Sequence, residues 1–121
     1  MSIDDNRDAA DSAALLLERY GYAVAVCYDG AAALAAALRF EPDVCLIDLN
    51  MPGLNGYELA ERLTAWRRSR PVYLVAVTAY GGDRDRAKTA RAGFARHLVK
   101  PLDWGELFAA LADLEVRLRC A

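Results

Sequence analysis

Short apolar runs alternate along this chain with longer stretches in which apolar residues return every three or four positions. The first pattern predicts strands buried on both faces and the second predicts amphipathic helices. Ser2-Ile3 runs into Asp4-Asp5, and a helix is predicted over Asn6–Tyr20, with Leu15, Leu16 and Tyr20 on one side and Gly21 as its stop. Ala23–Cys27 is a β-branched run and reads as a strand. Asp29 or Gly30 then opens an alanine-rich helix that ends by Phe40, ahead of Pro42. Asp43–Asp48 is apolar between its terminal aspartates, as a central parallel strand should be. Met51–Gly56 holds a proline and two glycines and reads as a loop. A helix is predicted over Tyr57–Trp66 with Tyr57, Ala60 and Leu63 clustered, and Arg67, Arg68 and Arg70 complement the negative end of its dipole.

Pro71–Val77 is the fourth predicted strand. Gly81-Gly82 makes a loop, and Asp83 is predicted to cap a polar helix that runs to Ala92 and stops at Gly93. Ala95–Val99 is the fifth strand. Asp103 caps the last helix, whose Leu107, Leu111, Leu114 and Leu118 form a core-facing stripe that continues almost to Ala121. Five successive strand–helix units imply an α/β three-layer sandwich with a parallel sheet and right-handed crossovers. Residues 1–121 read as one domain, with no linker, repeat or second domain following it.

Four of the apolar runs close on chemistry-bearing residues: Asp4-Asp5, Asp48, Thr78 and Lys100-Pro101. In a parallel sheet the carboxyl ends of all strands open at one edge, where ligands bind. Three carboxylates, a hydroxyl and an ammonium are therefore expected in one cleft. Asp4, Asp5 and Asp48 would repel one another there, and a hard divalent cation such as Mg²⁺ relieves that repulsion with oxygen ligands. Asp4-Asp5 also has an alternative reading as the cap of the first helix, Asp48 as a turn aspartate, Thr78 as a strand-end residue and Lys100 as a solvated lysine.

Composition removes several classes. With 55% hydrophobic and 26% charged residues the chain is that of an ordinary folded domain. A net charge of −2 gives no sign of a nucleic-acid surface, and no apolar run approaches the length of a membrane span. Cys27, Cys45 and Cys120 are odd in number and widely spaced, forming neither a disulfide framework nor a zinc pattern; reduced thiols and a cytoplasmic location are expected.

The acidic pair Asp4-Asp5, the run Asp48-Leu49-Asn50-Met51-Pro52-Gly53-Leu54-Asn55-Gly56, the dipeptide Thr78-Ala79 and Lys100-Pro101 together resemble the receiver domain of bacterial response regulators, across essentially the whole chain. The resemblance implies a flavodoxin-like fold with strand order 2-1-3-4-5. It implies that Asp48 accepts a phosphoryl group from a histidine kinase or a histidine phosphotransfer protein. It further implies that Asp5, Asp48 and the backbone carbonyl of Asn50 bind Mg²⁺ directly, with Asp4 acting through a water, and that the Lys100–Pro101 bond is cis. Thr78 and Lys100 would then answer the roughly two negative charges that a phosphoryl group adds. Asn50 and Tyr80 flank the path of the water that hydrolyses the acyl phosphate, and Tyr80 is expected to shield it. His97, the sole histidine, occupies the position of a switch aromatic that is commonly Tyr or Phe. Either it turns inward on phosphorylation or it only fills space. With this strand histidine alone, the chain receives a phosphoryl group and does not originate one.

The implied domain is not an enzyme beyond its own phosphorylation and dephosphorylation. Its partners are the phosphodonor and a downstream protein target, without direct nucleic-acid or membrane contact, and it is a monomer or a phosphorylation-dependent dimer. It acts alone, as a phosphorelay intermediate, or as the receiver of a hybrid kinase. Two rival readings stay open. An interaction domain independent of phosphorylation would not need the site residues. A haloacid-dehalogenase-like phosphohydrolase needs a second aspartate two residues after the nucleophile, where this chain has Asn50. The first strand has only Met1-Ser2-Ile3 before Asp4, short of the ~5–6 residues usual for a strand. Low stability and an Asp5 that orders with metal are expected from it.

Overall fold

The parallel strands that the apolar runs predict form a single sheet. The computed structural model describes residues 1–66 and 71–120; Arg67, Arg68 and Arg70, expected at a helix end, lie outside the described residues. In chain order the elements are β1 (Ser2–Ile3), α1 (Arg7–Arg19), β2 (Val26–Cys27), α2 (Gly30–Phe40), β3 (Val44–Asp48), α3 (Gly56–Ala65), β4 (Tyr73–Thr78), α4 (Asp83–Arg91), β5 (Arg96–Val99) and α5 (Trp104–Cys120). The five strands lie in the order β2-β1-β3-β4-β5, all pairs parallel. This is the flavodoxin-like (βα)5 arrangement expected from the sequence.

Alternate strand residues feed two cores. Ile3, Cys27, Cys45, Ile47, Leu74 and Ala76 pack with Ala33 and Ala37 of α2 and with Leu59 and Leu63 of α3. Leu46, Val75, Val77 and Leu98 pack on the opposite face with Leu17 of α1 and with Leu107, Leu111 and Leu114 of α5. Both cysteines in the sheet, Cys27 and Cys45, are buried thiols, while the Cys120 thiol is exposed. Among the described residues no helix is long and apolar enough to cross a membrane.

Central β1 is only two residues long. Its ladder reaches beyond those two residues: Leu46 donates its N–H to the Met1 carbonyl at 2.9 Å, Ser2 donates to the Ala25 carbonyl at 2.9 Å, and Asp4 donates to the Cys27 carbonyl at 3.1 Å. These bonds carry Asp4 to the same sheet edge as Asp48.

Local signals explain most boundaries. Asp29 caps α2 by accepting from the Ala32 N–H at 2.7 Å, and Asp103 caps α5 by accepting from the Glu106 N–H at 3.1 Å. Gly21, at φ +92°, turns the chain out of α1 through a conformation that costs other residues about 1–2 kcal/mol.

Strand β2 is shorter than the expected Ala23–Cys27, covering only Val26–Cys27, and four expectations about the helices need correction. The buried face of α1 is Ala10, Ala13, Ala14 and Leu17, whereas Leu15 and Tyr20 are 61% and 66% exposed. Small side chains let this helix sit close on the sheet, and the Tyr20 ring lies against Phe108 instead, 4.4 Å between centroids. The cap of α4 is Gly82, without a side-chain bond, and Asp83 lies in the first turn, where its charge suits the dipole. Helix α3 begins at Gly56 under an Asn55 cap that accepts from the Glu58 N–H at 3.0 Å, and Leu59 joins Ala60 and Leu63 in its buried face. In α5, Leu118 is half-buried, while Leu107, Leu111 and Leu114 are buried as predicted.

Candidate functional site

The register of the sheet assembles the site. Ser2 and Ile3 pair with Leu46 and Ile47, so Asp4 continues from β1 alongside Asp48 at the end of β3. Asp48 pairs in turn with Val77, one residue before Thr78, and Thr78 pairs with Val99, one residue before Lys100. Every strand-end residue singled out in the sequence thus stands at one sheet edge. One carboxylate oxygen from each of Asp4, Asp5 and Asp48 lies within 4.8 Å of the other two. The Lys100 ammonium lies 3.5 Å from Asp4 Oδ2 and 3.5 Å from Asp48 Oδ1.

Two short turns aim the carboxylates. Asp4 Oδ1 accepts from the Asn6 N–H at 3.0 Å, and Asp48 Oδ1 accepts from the Asn50 N–H at 3.1 Å. Gly56 holds the loop after Asp48 in place. A Cβ there would stand 2.8 Å from the Asp48 carbonyl oxygen and 2.7 Å from Leu49 Cα, so no larger residue fits without moving the backbone that carries the aspartate.

The electrostatics follow from this crowding. The Asp48 side chain is 5% exposed and that of Asp4 12% exposed, while Asp5 is open to solvent. Burial pushes the Asp48 carboxyl above the usual carboxylate range; the Asn50 N–H opposes this, Asp4 adds to it, and Lys100 opposes it. Three carboxylates facing a single ammonium leave net negative charge. The donor set, hard oxygens within reach of one another, fits Mg²⁺.

Thr78 is buried; its Oγ1 accepts from the Tyr80 N–H at 3.2 Å, and its carbonyl accepts from the Lys100 N–H at 2.8 Å. The Lys100–Pro101 peptide is cis. Asn50 and Tyr80 are exposed. His97 sits away from the acidic cluster, level with Ala76, with its Nδ1 2.9 Å from Thr89 Oγ1 and its Nε2 2.8 Å from the Tyr80 carbonyl oxygen. Between α1 and α5 a half-open cavity of about 440 Å³ runs from Asp4, Asp48 and Lys100 down to Leu46 and Val77, with Trp104 in its wall.

Sequence reasoning missed two of these residues. Thr89 carried a weak signal, a lone hydroxyl among the charges of α4, and its partner could be found only in three dimensions. Gly56 was visible within the loop run, but not the close backbone approach that requires it.

The chain matches the family described as response regulator receiver domain over residues 1–112. It is 30% identical over 112 residues to the DNA-binding dual master transcriptional regulator RpaA of Synechocystis sp., spanning 93% of this chain and 46% of that protein. It is 31% identical over 101 residues to protein PilH of Pseudomonas aeruginosa, spanning 84% of each. Among solved structures, chemotaxis protein CheY4 of Vibrio cholerae superposes with a TM-score of 0.86 at 25% identity, covering 93% of each chain. The chain thus spans about half the length of the first of these relatives.

Proposed function

Because this chain belongs to the response regulator receiver family, we propose that Asp48 is its phosphoryl acceptor and that the acidic edge of the sheet is the phosphorylation site. The observation that carries this reading is the near-buried Asp48 carboxylate with Lys100 at 3.5 Å and Asp4 and Asp5 beside it. A carboxylate oxygen of Asp48 attacks phosphorus, the bond from phosphorus to the donor's histidine nitrogen breaks, and that nitrogen leaves with the electron pair. The product is an acyl phosphate on Asp48. No general base is needed, because the nucleophile is already ionised. Asp5, Asp48 and the Asn50 carbonyl, with Asp4 through a water, would hold Mg²⁺, which when bound would supply charge neutralisation for the transfer. Lys100 keeps its ammonium on the same oxygens, and the Thr78 hydroxyl donates to the phosphoryl group once it is in place.

The domain serves as a signalling element in a two-component or phosphorelay pathway. Its donor is a histidine kinase or histidine phosphotransfer protein, its output a downstream protein target, and its setting the cytoplasm. Residues 1–121 act as one receiver unit, in which Thr78 and His97 transmit the state of Asp48, and the only catalysis is of its own phosphorylation and dephosphorylation.

Incubation with Mg²⁺ and acetyl phosphate followed by intact mass measurement tests this reading. A labile gain of about 80 Da on the wild type, absent from Asp48→Asn and from EDTA-treated protein, is the expected result. An unmodified wild type would leave an interaction domain independent of phosphorylation, and continuous phosphate release would point to a hydrolase.

Tyr80, 61% exposed, shields the acyl phosphate from water in this reading. Tyr80→Ala should lose its phosphoryl group about threefold faster than wild type, an effect on the scale of one excluded or admitted water contact. Equal decay rates in a time course of intact mass would contradict that role.

A further inference from the structure

Helix α4 carries the sequence Asp83-Arg84-Asp85-Arg86-Ala87-Lys88-Thr89-Ala90-Arg91 and buries one residue, Thr89, at 1% exposure. A buried hydroxyl on so polar a helix needs partners. Thr89 Oγ1 lies 3.0 Å from the Arg86 carbonyl and 2.9 Å from His97 Nδ1. The other ring nitrogen, Nε2, lies 2.8 Å from the Tyr80 carbonyl. A carbonyl only accepts, so Nε2 carries a hydrogen in any protonation state. In the neutral ring Nδ1 is then the acceptor, and Thr89 donates to it. In a protonated ring Nδ1 donates to Thr89 Oγ1, whose hydrogen turns to the Arg86 carbonyl. Either way the hydroxyl fixes the orientation of the imidazole.

His97 in turn grips the main chain beside the phosphorylation site. Tyr80 is held at both ends: its carbonyl accepts from His97, and its N–H donates to Thr78 Oγ1 at 3.2 Å. Arg86 reinforces the same loop by donating from Nε to the Gly81 carbonyl at 3.0 Å. The bonds form a continuous chain from α4 to the hydroxyl of Thr78.

We propose that Thr89 is a positioning residue for the phosphorylation site: it locks His97 onto the Tyr80 carbonyl and thereby sets the Thr78 hydroxyl toward a phosphoryl group on Asp48. This rests on the reading of Asp48 as acceptor and adds to it a residue on α4 that acts through a ring and the main chain of Tyr80. The switch position therefore works as a hydrogen-bonded latch, which a phenyl ring cannot provide.

The test combines ring nitrogen NMR of His97 at mildly alkaline pH with binding of beryllofluoride in the presence of Mg²⁺. Wild type should show the Nε2–H tautomer. Thr89→Val should show a mixed tautomer and bind beryllofluoride about fivefold more weakly, and Thr89→Ser should restore both. In a His97→Phe background, Thr89→Val should change the affinity less than about twofold, because its route to the site is gone. An Nδ1–H tautomer in wild type, an unchanged Thr89→Val, or additive effects in the phenylalanine background would each overturn the proposal; Thr89→Ala replaces the valine variant if that fails to fold. The tautomer is read in unligated protein, so a wild type that takes no beryllofluoride would sink the assignment of Asp48 without touching the latch.

Discussion

Replacing Lys100 by alanine is expected to slow phosphorylation of Asp48 by acetyl phosphate about 100-fold at saturating Mg²⁺, the usual loss when one preorganised charge-stabilising donor is removed. The ammonium stands 3.5 Å from both Asp4 and Asp48, so it is placed before the reaction begins and need not be recruited. It also favours the ionised form of Asp48, the proposed nucleophile, since without it burial and Asp4 act on the carboxyl opposed only by the Asn50 N–H. Lys100→Arg should recover part of the rate, because it keeps the charge but spreads it over a planar fork that matches two carboxylates less well than a compact ammonium does. Time courses of intact mass give the comparison. An alanine variant as fast as wild type would remove Lys100 from the mechanism.

Millimolar Mg²⁺ should raise the thermal midpoint of this domain by several degrees, since a ligand at 100 times its Kd adds about 2.7 kcal/mol to the native state. The reason is the cost of the metal-free site. Burial and the neighbouring Asp4 lift the Asp48 carboxyl above its ordinary value of 3.8. The native state therefore binds a proton more tightly than the unfolded chain. Between the ordinary and the raised value the native state holds more protons, so stability falls as pH rises through that window, and the full cost is present above it. Metal-free protein should accordingly gain stability on mild acidification. Asp48→Asn should melt roughly 5 °C higher than wild type without metal and lose most of the response to Mg²⁺. Melts of wild type and Asp48→Asn at mildly alkaline and mildly acidic pH, with and without Mg²⁺, check these statements; a wild-type midpoint indifferent to the ion would refute the first, and a metal-free midpoint that does not rise on acidification would refute the second. A two-residue central strand makes the domain more dependent on this added stability than a longer strand would.

The sequence revealed the architecture because parallel strands buried on both sides leave unbroken apolar runs, and Val44–Asp48 and Tyr73–Thr78 are such runs. It pointed to the residues that meet at one sheet edge for a related reason: a polar residue that ends an apolar run must lie at a strand end. What it concealed was set by distance in space. The buried side of α1 is mostly alanine, and a reading that equates core with large side chains picks Leu15 and Tyr20 instead. Gly82 and Asp83 compete to begin α4, and the backbone alone decided between them. His97 was visible as an unusual residue at its position, but its two partners, Tyr80 and Thr89, come from the preceding loop and helix.

The pairing of Ser2 with Leu46 acts as the ruler of the acidic cluster at the sheet edge. Displacing β1 along β3 by a single residue would swing Asp4 to the opposite side of the sheet, and displacing it by two would carry the carboxylate about 6.6 Å away from Asp48. This interior strand, short as it is, therefore has alignment as its chief task. Substitutions at Ser2 or Ile3 that preserve folding yet loosen this alignment should reveal themselves first as weakened cation affinity, before any change in helix content.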